Sequence, residues 1–528
     1  MVDIEIPLAK DRDKRYRFFE ILPGALSWTI LIGPFILAWF YPVVLVVFIL
    51  TYFLIWFSRA IGLNVRSIQG YREMQRHMKY DWTRMLEEID HPEIEPKTTR
   101  FPKWHYRLID RLQANPTPIK PSEIIHAVII AVYNESKEII EPTIQGILDS
   151  NFDSKKVIMY IAYEERGGEE TEKTVKDLIK KYEDKVMFAK AVKHPTDIPN
   201  EVQGKGPNIT FTGKVMLEDI KNKNLPIDKI MVTTLDSDNI PHPNYLPALT
   251  YTVCATPDPH RVSYQPIPIY TNNIWDAPAP MRVIATGNSF WMVVQSLRQH
   301  VLRNFASHAQ SLHALTETDF WSTRTIVEDG HQFWRSYFRF DGNYEVFPIF
   351  VPVYQDAVLA GNFKKTVIVQ FKQLRRWAYG ASDVSYFAQK AFMSDSKAPL
   401  YDRIFKFARL LEGHVSWATA PLILIGAAFV PILVSPDNFA ANQLPLIASN
   451  IQRIALSGIL VTLFLSVKVL PPKPERYKHH RTFFMLIQWV LLPFTTIFFN
   501  SFAAINSQTH LIFGKYLDVF EHTTKVKK

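Results

Sequence analysis

A single cysteine, Cys254, occurs in 528 residues. An intramolecular disulfide is excluded, and the usage fits a reducing compartment. No internal repeat or low-complexity tract is present, so the length divides among distinct units of roughly 100–200 residues each. No small-residue cleavage site follows the first apolar run, which excludes reading it as a cleaved signal peptide. Residues 435–450, "SPDNFAANQLPLIASN", contain neither Lys nor Arg.

Charge is also nearly missing from four long stretches. Residues 22–60 run "LPGALSWTILIGPFILAWFYPVVLVVFILTYFLIWFSRA", and further apolar runs occupy 415–434, 452–470 and 482–514. A spanning helix needs about 20 mostly apolar residues, so these are membrane candidates even though mean hydropathy is only −0.04. Buried core helices explain them poorly, because the runs are long and cluster at the two ends of the chain. The first run is expected to be a hairpin turning near Phe40–Pro42. Basic flanks ("KDRDKRYR" before it; Arg59, Arg66, Arg72 and Arg76 after it) and the basic loop 471–481 are placed in the cytoplasm by the positive-inside rule. The expectation is a multi-pass protein of the cell membrane, in contact with lipid and with its soluble middle cytoplasmic. The net charge of +9 is then a membrane-surface signature. Nucleic acid is not expected as a partner, since the basic residues gather beside apolar spans.

The middle alternates apolar strands with helical stretches. "IIHAVIIAVYNES", "KKVIMYIAYEE" and "KIMVTTLDSDN" read as buried strands, and "ETEKTVKDLIKKYE" and "NITFTGKVMLEDIKN" as helices. That pattern implies an α/β sheet covered on both faces, with ligands beyond the carboxyl ends of the strands. Residues 193–207 read as a mobile loop. Asp236 and Asp238 close one strand side by side and repel unless a proton, a basic group or a metal separates them. A polar turn is the bland explanation. A hard oxygen pair also suits Mg²⁺ or Mn²⁺ beside a phosphate. Lys205 lies in "QGKGPN", a stretch more often merely flexible than phosphate-binding. Glu328 and Asp329 precede an aromatic helix, where acidic residues commonly cap. Gln373, Arg376 and Trp377 fall on one helix face, which an interfacial helix would also show.

Taken in order, "VYNE", "DSD", "VED" and "QLRRW" resemble the motifs of the membrane-integrated family-2 glycosyltransferases, the cellulose, chitin and hyaluronan synthases and their relatives. That family carries a Y-N-E-like turn, D-x-D, T-E-D and Q-x-x-R-W in this order. The resemblance covers about 120–385 and, with the flanking spans, nearly the whole chain. It implies a GT-A-like α/β fold, a mixed nucleotide-sugar-binding sheet flanked by helices, inserted between transmembrane helices. The implied division is a membrane hairpin (1–62), a linker (63–119), the GT-A-like domain (120–390), and an interfacial helix with further spans and a basic tail (391–528).

Carried over residue by residue, Asp236 and Asp238 would hold Mg²⁺ or Mn²⁺ and the diphosphate, Asp238 being the stronger candidate ligand. Asp329, with Glu328 beside it, would be the base that deprotonates the acceptor. Gln373, Arg376 and Trp377 would bind diphosphate and line the acceptor site. Tyr133 and Glu135 would lie near the nucleoside, and Lys205 near phosphate. The implied reaction is inverting transfer from a nucleoside-diphosphate sugar, expected to be UDP-linked, to a growing glycan. Single transfer to a lipid-linked acceptor is the alternative. A transporter is the rival from another class, disfavoured because the spans carry few ionisable groups.

The chain departs from the family in four places. Val327 replaces the threonine, and "AYEERGG" offers only Glu164 and Glu165 in place of the second strand's acid. "VIATGNSFWM" lacks the cysteine-containing acceptor motif, which leaves polymerisation and the acceptor open. The tail "FEHTTK" (520–525) resembles an F-x-V-T-x-K gating loop with His522 in place of valine, although a disordered basic terminus is the simpler reading. Three single spans after the middle would put that tail on the wrong side for gating, so 482–514 is expected to be bent, re-entrant or a short hairpin.

Overall fold

The structure is a computed structural model that describes residues 4–94, 101–115, 119–478 and 480–518. The runs rich in Val and Ile form an eight-stranded mixed sheet. Its strands are β1 (Ile125–Val132), β2 (Val157–Glu164), β3 (Phe188–His194), β4 (Ile230–Asp236), β5 (Ile240–Pro241), β6 (Val262–Tyr270), β7 (His308–Ser311) and β8 (Glu345–Gln355). They are ordered β3-β2-β1-β4-β7-β6-β8-β5. β3, β2, β1 and β4 are parallel, and β7 runs antiparallel to both β4 and β6.

The two-residue period of β1 divides its side chains between two cores. Val128 and Ile130 pack with Ile140, Ile144 and Val175 on one face. Ala127 and Ile129 pack with Ile209, Met216 and Trp321 on the other. This is the helix-flanked mixed α/β sheet that the sequence leads one to expect, set between apolar helices. The reading of 193–207 as a mobile loop is corrected at both ends, since Lys193 and His194 close β3. The Lys205–Asn222 helix opens three residues before Asn208, and Lys205, Gly206 and Pro207 form its first turn. Pro suits the first turn because its missing N–H has no intrahelical partner there.

Among the described residues, five helices are long and apolar enough to cross a membrane: Lys14–Phe40, Pro42–His77, Leu400–Val434, Phe439–Val469 and His480–Ile512. The first two break at Tyr41, with Pro42 opening the second. That second helix continues beyond residue 62 to His77, and a side chain at Gly70 would meet Val293. At the far end of the bundle Ser435 Oγ donates to the Ala38 carbonyl (2.8 Å). Ala38, Leu45, Phe53, Ile423 and Leu444 form the core there. His480–Ile512 is one run that passes through a 3₁₀ turn (Gln488–Leu491) and a π turn (Thr496–Ser501) without reversing direction, so it is not a hairpin. Residues 520–525, compared above with a gating loop, lie outside the described residues.

The start of the chain lies on the sheet-bearing unit. Tyr386 donates to the Ile4 carbonyl (2.8 Å), Arg324 to that of Ile6 (2.8 Å), and Arg335 pairs with Glu5 (3.4 Å).

Candidate active site

One cavity of about 340 Å³ lies beyond the carboxyl ends of the central strands. All ten residues singled out in the sequence line it: Tyr133, Glu135, Lys205, Asp236, Asp238, Glu328, Asp329, Gln373, Arg376 and Trp377. Tyr133 follows β1, Asp236 ends β4, and Glu328–Asp329 open the Glu328–Arg339 helix. A strand end is where a side chain leaves the core while its backbone is still held by the ladder, so these positions converge without flexible loops.

A basic group pairs with one of the two aspartates, and a backbone amide meets the other. Lys205 Nζ donates to Asp236 Oδ1 (2.6 Å) and to the Ala306 carbonyl (3.1 Å). Asp238 is buried, and its Oδ2 accepts from the Asp356 amide (3.0 Å). Burial works against the Lys205 ammonium, but Asp236 and Glu328 outweigh it and hold the group more basic than usual. Glu328 is buried and Asp329 partly so. Burial, with the neighbouring Asp329 charge, raises Glu328 to about 8. Burial likewise raises Asp329, against the pull of Lys205 and of the Gly330 amide, which donates to Oδ1 (2.7 Å). Burial of two neighbouring carboxylates therefore favours a proton on the pair, and Lys205 opposes it.

On the Phe363–Ala378 helix, Gln373, Arg376 and Trp377 face the cavity while Leu374 is fully buried beneath them. Trp377 approaches Tyr270 at 6.3 Å between ring centroids. Glu135 turns back to accept from the Tyr133 amide (2.7 Å), so it shapes the turn as well as lining the cavity.

Of the two acids considered at the end of β2, Glu164 lines the cavity. Glu165 is exposed and accepts from the Thr196 amide (3.1 Å). Among the lining residues missed are Arg166, Gln203, Tyr270 and Asp356. Arg166 pairs with Glu164 (2.9 Å), donates to Gln203 (2.9 Å) and stands 5.5 Å from the Tyr133 ring centre. Tyr270 and Asp356 were findable, since each sits at the carboxyl end of a strand. His194 lies between Glu164 (3.4 Å) and Glu201 (3.0 Å). Burial opposes its protonation, but the two carboxylates raise it to about 9.

Among the described residues no three His, Cys, Asp or Glu side chains are grouped to enclose a metal ion. The donor set is Asp236 and Asp238, hard oxygens from one turn. That fits Mg²⁺ or Mn²⁺ of the kind held by one or two carboxylates and completed by substrate phosphates and water.

No protein-family model matches the sequence, and no curated protein does. Among solved structures, this one is similar to the mannosyltransferase PcManGT from Pyrobaculum calidifontis, in complex with GDP-Man and Mn²⁺. Identity is 14%, coverage 86% of this chain and 100% of that one, and the TM-score 0.40. It is also similar to residues 1–349 of S. aureus TarS in complex with UDP-GlcNAc, at 10% identity, 75% and 93% coverage, and a TM-score of 0.36. A third is the glucosyl-3-phosphoglycerate synthase of Mycobacterium tuberculosis, in complex with Mn²⁺, UDP and phosphoglyceric acid. It is 15% identical, with 52% and 81% coverage and a TM-score of 0.30.

Proposed function

We propose that this chain is a membrane-embedded, inverting glycosyltransferase of the family-2 type, with its sheet-bearing unit on the cytoplasmic side of the cell membrane. The observation that carries the reading is convergence. Four motifs scattered between Tyr133 and Trp377 meet in one cavity. Lys205 bonds to Asp236 there and feels the charges of Glu328 and Asp329.

In the proposed reaction the acceptor O–H attacks the anomeric carbon, and the bond from that carbon to the diphosphate oxygen breaks. The electron pair stays on the diphosphate, and Asp329 takes the proton. Arg376 and Lys205 would meet the charge that develops on the leaving group. Asp236 and Asp238 would hold Mg²⁺ or Mn²⁺, which supplies Lewis-acid stabilisation of the diphosphate. Glu164, Arg166 and Tyr133 would surround the nucleoside. A UDP-linked donor and a growing glycan acceptor remain the first reading.

One observation favours the alternative, a lipid-linked acceptor. Ile326 and Val327 in the cavity wall pack directly on Leu511 of the apolar His480–Ile512 helix. Product size on a gel separates the two.

The deciding assay presents purified protein with a panel of UDP-, GDP- and other nucleotide sugars and either metal. Release of nucleoside diphosphate from one donor is expected. Asp329→Asn should lose about 10²–10⁴-fold in turnover while still binding that donor, and Asp238→Ala should lose metal-dependent binding. A folded protein that binds no nucleotide sugar at all would refute the reading.

A further inference from the structure

The His480–Ile512 helix is long and apolar enough to cross a membrane, and at 1.5 Å per residue it extends about 50 Å. A crossing helix of that length leaves the unit it starts from within a few turns. This one does not. Arg481 Nη2 donates to the Trp275 carbonyl (2.8 Å), and Met485 packs with Ile274, Trp275 and Met281. Gln488 Oε1 accepts from Arg282 Nε (2.5 Å). Farther along, Phe499 and Ala503 join the cluster of Ala357 and Leu374, and Ala504 meets Ala378. Leu511 packs on Ile326 and Val327, and the Asp518 carbonyl accepts from the Gln203 amide (3.1 Å). Both ends and much of the middle rest on the same sheet-bearing unit.

The outer face of the helix is apolar, unlike that of a helix bathed in water. The inner face is mixed, burying Gln488, Thr495, Ser501, Ser507 and Gln508 among Met485, Trp489, Phe499 and Leu511. The outer face carries Phe483, Ile487, Val490, Phe494, Phe498 and Phe502, between 41% and 78% exposed and spaced three or four residues apart. That is one continuous helical stripe. An uncovered apolar stripe of this length is a contact surface.

Three observations identify its occupant as lipid. The helix packs on a membrane-candidate helix, with Ala504 beside Ala418 and Gln508 Nε2 donating to the His414 carbonyl (2.8 Å). Its polar end also meets the first apolar helix, where Ser27 Oγ donates to Gln508 Oε1 (2.7 Å). Exposed lysines stand at both ends, Lys478 before it and Lys515 after it, where they suit anionic head groups.

We propose that His480–Ile512 lies in the plane of the membrane surface, with its Phe-rich face at the boundary of head groups and acyl chains, and that it is not a fifth crossing. Four helices then cross. Residues 4–13, residues 513–518 and the sheet-bearing unit then share one side, as an even number of crossings requires. The inference concerns the placement of the helix and is independent of the reaction in the cavity.

Cysteine scanning of the full-length protein in sealed vesicles tests it. The native Cys254 is buried, so the unaltered chain serves as the blank. Cysteines replace Lys478, Lys515, Asp437 and Glu169, all exposed, one at a time. With a membrane-impermeant maleimide, the positions at 478, 515 and 169 are expected to label from one side and 437 from the other. Labelling of 478 and 515 from opposite sides overturns the proposal. A fluorophore on Val490→Cys then reports depth. Quenching by lipids carrying a shallow spin label, and less by a deep one, is expected. Stronger deep quenching means a crossing, and quenching by neither means that a second copy of the chain covers the face; either result overturns it.

Discussion

Lys205 is where the electrostatics of the cavity are decided. Its ammonium is nearly enclosed (11% exposed) and compensates Asp236 at 2.6 Å while facing Glu328 and Asp329. Removing one partner of a buried pair leaves an uncompensated charge, at a cost of 3–5 kcal/mol in fully buried cases. Asp236 is a third exposed, so Lys205→Met should cost about 3 kcal/mol or somewhat less, read as a lowered melting temperature in detergent. Glu328 gives a pH dependence of definite sign. Its carboxyl is raised from 4.5 to about 8, so between those values the folded protein holds a proton that the unfolded chain has released. This group's contribution to stability then falls as pH rises from about 4.5 towards 8. Buried His126 and His308, which burial holds well below 6.5, act in the opposite sense below that value. The readout is therefore a difference: the melting temperature of the unaltered protein should fall relative to that of Glu328→Gln across the window. A slope unchanged in the variant would assign the proton elsewhere.

At the scale of elements, the strands and the D-x-D turn were legible because period and composition both pointed to them. "HAVIIAV" has no other stable home than a sheet covered on two faces, and Asp236 and Asp238 follow a strand end directly. The Glu328–Arg339 and Phe363–Ala378 helices were legible as elements. Their meeting across the cavity was visible only through the motif order that the family resemblance supplied. Arg166 and Gln203 were not legible. They belong to segments whose conformation depends on tertiary partners, Tyr133 for one and Asp518 for the other. The opening of the Lys205–Asn222 helix was hidden for a similar reason, since a Gly-Lys-Gly-Pro run reads locally as a loop. What makes it helical is close approach. A Cβ on Gly206 would lie 2.4 Å from the Ser322 carbonyl and 3.0 Å from the Glu328 Cβ. Gly206→Ala should therefore push the helix that carries Lys205 away from the helix that carries Asp329. Overpacking of this kind costs about 1–3 kcal/mol, and donor affinity should fall with the melting temperature. Full donor affinity in a destabilised variant would show that the spacing of the two helices does not matter to binding.

At the scale of the whole molecule, the cavity is built to persist without metal. Asp236 has its own ammonium and Asp238 accepts a backbone N–H, so stripping divalent ions leaves neither carboxylate uncompensated. Chelation should abolish nucleoside-diphosphate release while the melting temperature stays within about a degree, since losing a ligand shifts stability only as far as its binding had contributed. A collapse of the fold on chelation would mean that the ion is structural. The strap formed by Ile4, Glu5 and Ile6 sets a timetable for biosynthesis. They are made well before Arg324, Arg335 and Tyr386, which hold them. At about 5–20 residues per second, roughly 20–80 s separate the synthesis of Ile4 from that of Tyr386. For most of that interval the helices Lys14–Phe40 and Pro42–His77 are already made while residues 4–6 have nothing to bind. This strap is therefore sealed late, in part by the helix that also carries Glu328 and Asp329.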